Sequence, residues 1–108
     1  MTLQTWLQNW ANKEDNPQAV LQDIVQQGCC SGSVGELIYY PDIFRFYDRF
    51  GDDIWDLVTT FRDQTGLTLA EFLGCFKRLD TETDLKTNLV WFAVEETAAQ
   101  LLATEGLL

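Results

Sequence analysis

Histidine is absent from this 108-residue chain, and with it go the commonest general base and the commonest metal-ligating side chain. Ser-His-Asp and Cys-His catalysis are excluded outright. Cysteine is sparse and odd in number, three residues in all. Adjacent Cys29 and Cys30 cannot bridge each other without a strained ring, so reduced thiols in a reducing compartment fit better than a disulfide framework. Three thiols without an imidazole would need a carboxylate or a second chain to complete a zinc site. No metal and no other cofactor is expected, and the protein reads as a non-enzyme. Cations are few as well: seven Lys and Arg face seventeen Asp and Glu, a formal net charge of -10. That balance argues against direct contact with nucleic acid or an anionic membrane and favours a basic partner. No run of eighteen apolar residues occurs, and a polar amphipathic stretch follows Met1. Neither a membrane span nor a signal peptide is expected, and the expected compartment is the cytoplasm.

What is present is enough apolar and aromatic material to fold. The chain is 46% hydrophobic and 13% aromatic, too rich in core formers for a disordered polyanion. Its length predicts one domain over residues 1–108. Leu3, Trp6, Leu7 and Trp10 recur at spacings of three and four, predicting a helix from Thr2 to about Asn12. In "NPQAVLQDIVQQG" Asn16 is a cap, Pro17 suits the first helical position and Gly28 suits the stop. Its inner face is Val20, Leu21, Ile24 and Val25. "PDIFRFYDRFG" predicts a helix from Pro41 to Gly51, burying Ile43, Phe46, Tyr47 and Phe50. "DDIWDLVTTFRDQTG" predicts another, capped by Asp52, burying Ile54, Leu57, Val58 and Phe61 and ending at Gly66. Thr68 and Glu71 form a Thr-x-x-Glu capping box ahead of Phe72, Leu73 and Phe76, with Cys75 read as core and Lys77 and Arg78 near the C-terminal end. The last helix, from Thr83 or Asp84 to about Thr104, carries an apolar run from Leu89 to Val94 too wide for a one-sided surface helix. It is expected at the centre. Only "ELIYY" resembles a strand, so the fold class is all-α, a compact single-domain bundle of about five to six helices.

The bend "QQGCCSGSVGELIYY" reads first as a tight helix-to-helix corner and second as an anion nest built from Gly28, Gly32, Gly35 and the serines. Cys29 and Cys30 read as small buried hydrophobes ahead of reactive thiols. Glu95 and Glu96 interrupt the most apolar helix, and an inward-facing carboxylate there needs a donor such as a tyrosine, Arg45 or Arg49. The best functional lead is acidic. Asp48, Asp52, Asp53 and Asp56 gather around Gly51, with Asp63 further on and Asp80, Glu82 and Asp84 before the last helix. Carboxylates at i and i+4 on a helix lie about 6 Å apart, near the spacing of phosphates along a strand. Such a surface either imitates nucleic acid or simply keeps a small protein soluble.

Three stretches carry a resemblance: "GCCSGSVGELIYY", "FYDRFGDDIWDLV" and "NLVWFAVEETA". In this order, from the Pro17 helix to Gln100, they resemble a family of small acidic proteins of unassigned activity encoded by bacteriophages, prophages and related mobile elements. The resemblance implies an origin in a mobile element and transfers no activity to individual residues. With acidity and the lack of catalytic residues, it makes an anti-CRISPR or other anti-defence protein the leading expectation. The partner would be a host protein or ribonucleoprotein complex with a basic surface. Asp48, Asp52, Asp53, Asp56 and Asp63 would pair with its Lys and Arg, while exposed Phe44 and Trp55 anchor the contact. The runner-up is a self-associating phage accessory or regulatory protein, a homodimer joined through an apolar helix face, for which the four tryptophans and the tail Gly106-Leu107-Leu108 are suited.

Overall fold

All but one of the described helices begin where a side chain takes up a free first-turn amide, the exception being the helix after Asp42. Thr2 accepts from the Thr5 amide at 3.1 Å and opens α1, Leu3–Ala11. Asn16 accepts from the Ala19 amide at 3.2 Å and opens α2, Pro17–Gln27, with proline in the first helical position. In the computed structural model, which describes residues 1–27, 42–76 and 79–104, α3 is Ile43–Thr65, α4 is Leu69–Gly74 and α5 is Glu82–Thr104. The predicted capping box of α4 is formed in both directions, Glu71 amide to Thr68 Oγ1 and Thr68 amide to Glu71 Oε1, each 3.1 Å. The bend with Cys29, Cys30, Tyr39 and Tyr40, the pair Lys77 and Arg78, and the tail from Gly106 to Leu108 lie outside the described residues.

The five helices of the described residues, with no strand among them, make the all-α bundle that the sequence predicts, with three local differences. First, the two helices expected on either side of Gly51 abut with no loop between them, so that α3 is two helical segments joined across a kink at Phe50 (φ -115°, ψ 18°). Glycine at position 51 lowers helix propensity but does not stop a helix whose inner face continues in register on both sides. Phe46, Phe50, Ile54 and Val58 are all buried, so burial outweighs a propensity cost of about 1 kcal/mol. Asp52 is accordingly mid-helix and caps nothing. Second, α5 starts one to two residues early, because Thr81 and Asp84 form a reciprocal cap (Asp84 amide to Thr81 Oγ1, 3.1 Å; Thr81 amide to Asp84 Oδ2, 3.3 Å). Third, Cys75 is exposed rather than core. Helix α4 ends at Gly74, so Cys75 leaves the inner register and its thiol turns back to the Glu71 carbonyl at 3.4 Å.

Helix α5 is the axis of the core. From Thr83 to Ala99 none of its residues is exposed, and Leu89, Val90, Ala93, Val94, Ala98 and Leu102 are completely enclosed. It packs against α1, α2 and α3. A helix that is apolar over most of its circumference is stable in water only when neighbours surround it. Two groups of rings fasten α3 at its two ends. Trp6 of α1 meets Phe46 and Phe50 at 5.0 and 5.7 Å. Phe61 meets Phe72 of α4 and Phe92 of α5 at 5.7 and 5.3 Å. These are the tilted and edge-on geometries that ring quadrupoles favour.

Helix α3 stops at Gly66, which adopts a left-handed backbone (φ 75°) and returns its amide to the Arg62 carbonyl at 2.8 Å. The two glycines of this helix therefore respond oppositely to the same change. Nothing lies within 4 Å of a Cβ built on either. Gly66→Ala is expected to destabilise by about 1 kcal/mol through backbone strain alone. Gly51→Ala is expected to stabilise by about 0.5–1 kcal/mol through helix propensity. Urea denaturation of the two variants measures both signs.

Candidate interaction surface and cleft

Six of the seven site residues named from the sequence lie on the outer face of α3. Beyond the kink at Phe50, a 3.6-residue period puts Asp52 and Asp56 in one row, with Asp63 two turns further and Trp55 along its margin, while Phe44 and Asp48 precede the kink. All six are exposed. Asp52 and Asp56 are about 6 Å apart along the axis, and Asp63 is about 10 Å further. No Lys or Arg intervenes between Arg49 and Arg62. The aromatic margin is already partly engaged. Trp55 donates its indole N–H to the Tyr47 hydroxyl at 2.9 Å. Lys86 of α5 lies over the Phe44 and Tyr47 rings, 5.2 Å from each centroid, and pairs with Glu82 at 3.1 Å. Lys86 thus ties the start of α5 to the start of α3 through cation–π contact.

The seventh residue, Asp53, points to another side of the helix. Its Oδ2 accepts from the Leu3 amide at 2.8 Å, a contact between residues fifty positions apart. A carboxylate on the first turn of α1 satisfies an amide with no partner inside the helix and meets the positive end of its dipole. Sequence spacing grouped Asp53 with the other acids of the Gly51 region because it cannot show a long-range cap. Asp53 belongs to the folding interactions as much as to the surface.

Beside this bond, α1, α3 and α5 enclose an open cleft of about 230 Å³. Asp53, Asp56, Thr60 and Thr97 line it, and Leu3 and Leu57 form its apolar wall. The sequence offered no signal for it, since its residues come from three separate segments. A second, more open groove of about 370 Å³, lined by Leu73, Leu79 and Leu85 among others, lies between α4 and the start of α5. Leu69 and Leu79 are exposed.

Glu95 and Glu96 are half-buried on α5. Among the described residues, the expected lock to Arg45 or Arg49 is not formed: Arg45 reaches Asp42 at 3.9 Å, and Arg49 lies over the Phe50 ring at 5.0 Å. Burial raises the Glu95 carboxyl above the ordinary carboxylate range, with the neighbouring Glu96 charge adding to it, and burial raises Glu96 likewise. Glu71 moves the other way, lowered by bonds from the Thr68 backbone and side chain. Among the described residues no group of three or more Cys, Asp or Glu is arranged to hold a metal ion, and no helix is long and apolar enough to cross a membrane.

The fold and its surfaces define a small all-α protein built around one enclosed helix, with an acidic surface helix on its flank. The chain belongs to the DUF7222 family, a domain of unknown function, which it matches over residues 2–107. The match takes in α1, which precedes the stretch carrying the resemblance to phage-encoded proteins. No curated protein and no solved structure gives a significant match.

Two outcomes follow for the titratable groups. Asp53→Ala is expected to destabilise by about 1 kcal/mol, the effect of losing a cap, with amide hydrogen exchange accelerating first at Leu3. For Glu95 and Glu96 the folded carboxyls have the raised pKa, so their ionisation opposes folding. The associated stability is fully present below the ordinary carboxylate value and is lost as pH rises through the raised one. Glu95→Gln should therefore raise the melting temperature at pH 7 and leave it unchanged at pH 4, as calorimetry at the two pH values would measure.

Proposed function

We propose that this protein is a non-enzymatic binding protein that docks the outer face of α3 onto a basic surface of a nucleic-acid-handling protein or ribonucleoprotein complex. The exposure of Asp48, Asp52, Asp56 and Asp63 together with Phe44 and Trp55 along α3, before and after its kink at Phe50, carries this reading. Carboxylates one turn apart repeat at intervals close to those of strand phosphates, and the helical backbone that carries them lowers the ordering cost on binding. The net charge of -10 steers a basic surface toward this face and disfavours nucleic acid itself. In its specific form, drawn from the resemblance to phage-encoded proteins, the complex is a defence machine of a bacterial host. The protein then acts in the cytoplasm by occupancy, as an anti-CRISPR or related inhibitor.

A second reading is favoured by the apolar groove of Leu73, Leu79 and Leu85: self-association, with a second copy covering it. Salt distinguishes the two, because charge pairing weakens with ionic strength whereas apolar burial does not. The test is capture of the tagged protein from cells expressing a CRISPR or restriction complex, at low and high salt. The expected result is co-elution of that complex at low salt only, and its loss in an Asp48→Lys/Asp52→Lys variant with an unchanged melting temperature. Equal capture by that variant, or recovery of nothing but a salt-resistant dimer, would overturn the docking reading.

A further inference from the structure

We propose that the cleft between α1, α3 and α5 is a recognition site for a primary ammonium group on a short alkyl stem. The first observation is an unused hydroxyl. Thr59, Thr65 and Thr104 each return their hydroxyl to the carbonyl four residues back, at 3.0, 2.8 and 2.9 Å, a bond open to a helical threonine. Thr60, Thr83, Thr87 and Thr97 do not. Of these four only Thr97 is buried, at 2% exposed, and it bonds to no described residue. No side-chain polar atom of the described residues is both buried and unpartnered, so its oxygen keeps an open side, and Thr97 lines the cleft.

The second observation is the charge balance at the same place. The N-terminus of α1 contributes about half a positive charge, already met by Asp53 Oδ2 at 2.8 Å from the Leu3 amide. Asp56 adds a second carboxylate with no described cation beside it, so the cleft is net anionic and selects a cation. Among the described residues no group of three or more Cys, Asp or Glu is arranged there to hold a metal ion. An ammonium has three donors, and acceptors of the right kind are present in Asp53, Asp56, Thr60 and Thr97. Leu3 and Leu57 supply an apolar wall for the stem. A volume of about 230 Å³ lies below that of sites for drug-sized ligands, about 300–1,000 Å³, and suits a single side chain or a small amine.

A free alkyl amine and the lysine side chain of a partner protein present this same chemistry. The test titrates the isotope-labelled protein with n-butylammonium and with N-acetyl-lysine amide, using 1-butanol and sodium chloride at matched concentration as controls, followed by backbone amide resonances. Saturable shifts confined to Leu3, Asp56, Thr60 and Thr97 are expected with the amines and not with the controls. Tighter binding of the lysine derivative assigns the cleft to a protein partner, and tighter binding of butylammonium assigns it to a free amine. Thr97→Val should keep the full melting temperature, since it removes a hydroxyl with no described partner, yet weaken amine binding about threefold to tenfold. Asp48→Lys removes charge from the docking face and not from the cleft, so it should leave the titration unchanged; docking and cleft can thus fail separately. Shifts that do not saturate, that spread over all the acidic segments, or that persist equally in Thr97→Val would overturn the proposal.

Discussion

The rest of the structure depends on the enclosure of α5. Its run from Leu89 to Val94 and the turns through Leu102 leave no broad polar side that could face water, so the other helices must surround it. Helices α1 and α2 are short and bury a narrow stripe each, Leu3, Leu7 and Ala11 in one, Leu21 and Ile24 in the other. Helix α3 supplies the long wall. The half-buried Glu95 and Glu96 are where this arrangement is least comfortable, since two adjacent carboxylates on the central helix are partly removed from water without a described cation.

Acidity and the core occupy separate parts of α3. Its inner face carries Phe46, Phe50, Ile54 and Val58, and its outer face carries Asp48, Asp52, Asp56 and Asp63. Such a division lets a strongly negative chain fold, because the repelling charges lie in high-dielectric solvent and the attractive contacts lie beneath them. Asp53 departs from the pattern. By accepting from the Leu3 amide it converts one charge of the acidic segment into a tie between α1 and α3, and that tie forms one edge of the cleft.

Much of the fold was legible from local signals. The caps of α1, α2 and α4 rest on side chains within three residues of the amides that they meet, and the inner faces follow the helical period, so short-range pattern reading suffices. The junction of the two helical segments was legible only in part. Gly51 was weighed as a stop signal, whereas the break is a kink at Phe50, which packs against Trp6, a residue 44 positions away. Cys75 was misread for a related reason: periodicity was extended through Phe76 although the helix closes at Gly74. The outer acidic row was legible because exposure follows from the same period that defines the core. The cleft was not, since Leu3, Asp56 and Thr97 meet only in three dimensions.

The sequence by itself determined the helical class, the central place of α5, the acidic balance and the lack of imidazole chemistry, because each is a matter of composition or of contacts within a few residues. Tertiary structure alone decided that α3 resumes past its kink at Phe50 without a loop, that Asp53 caps α1, and that Thr97 joins Asp53 and Asp56 along one cleft. Those outcomes depend on which helix faces are brought together. That choice is made by burying the apolar circumference of α5, a free energy summed over the whole core and carried by no single segment.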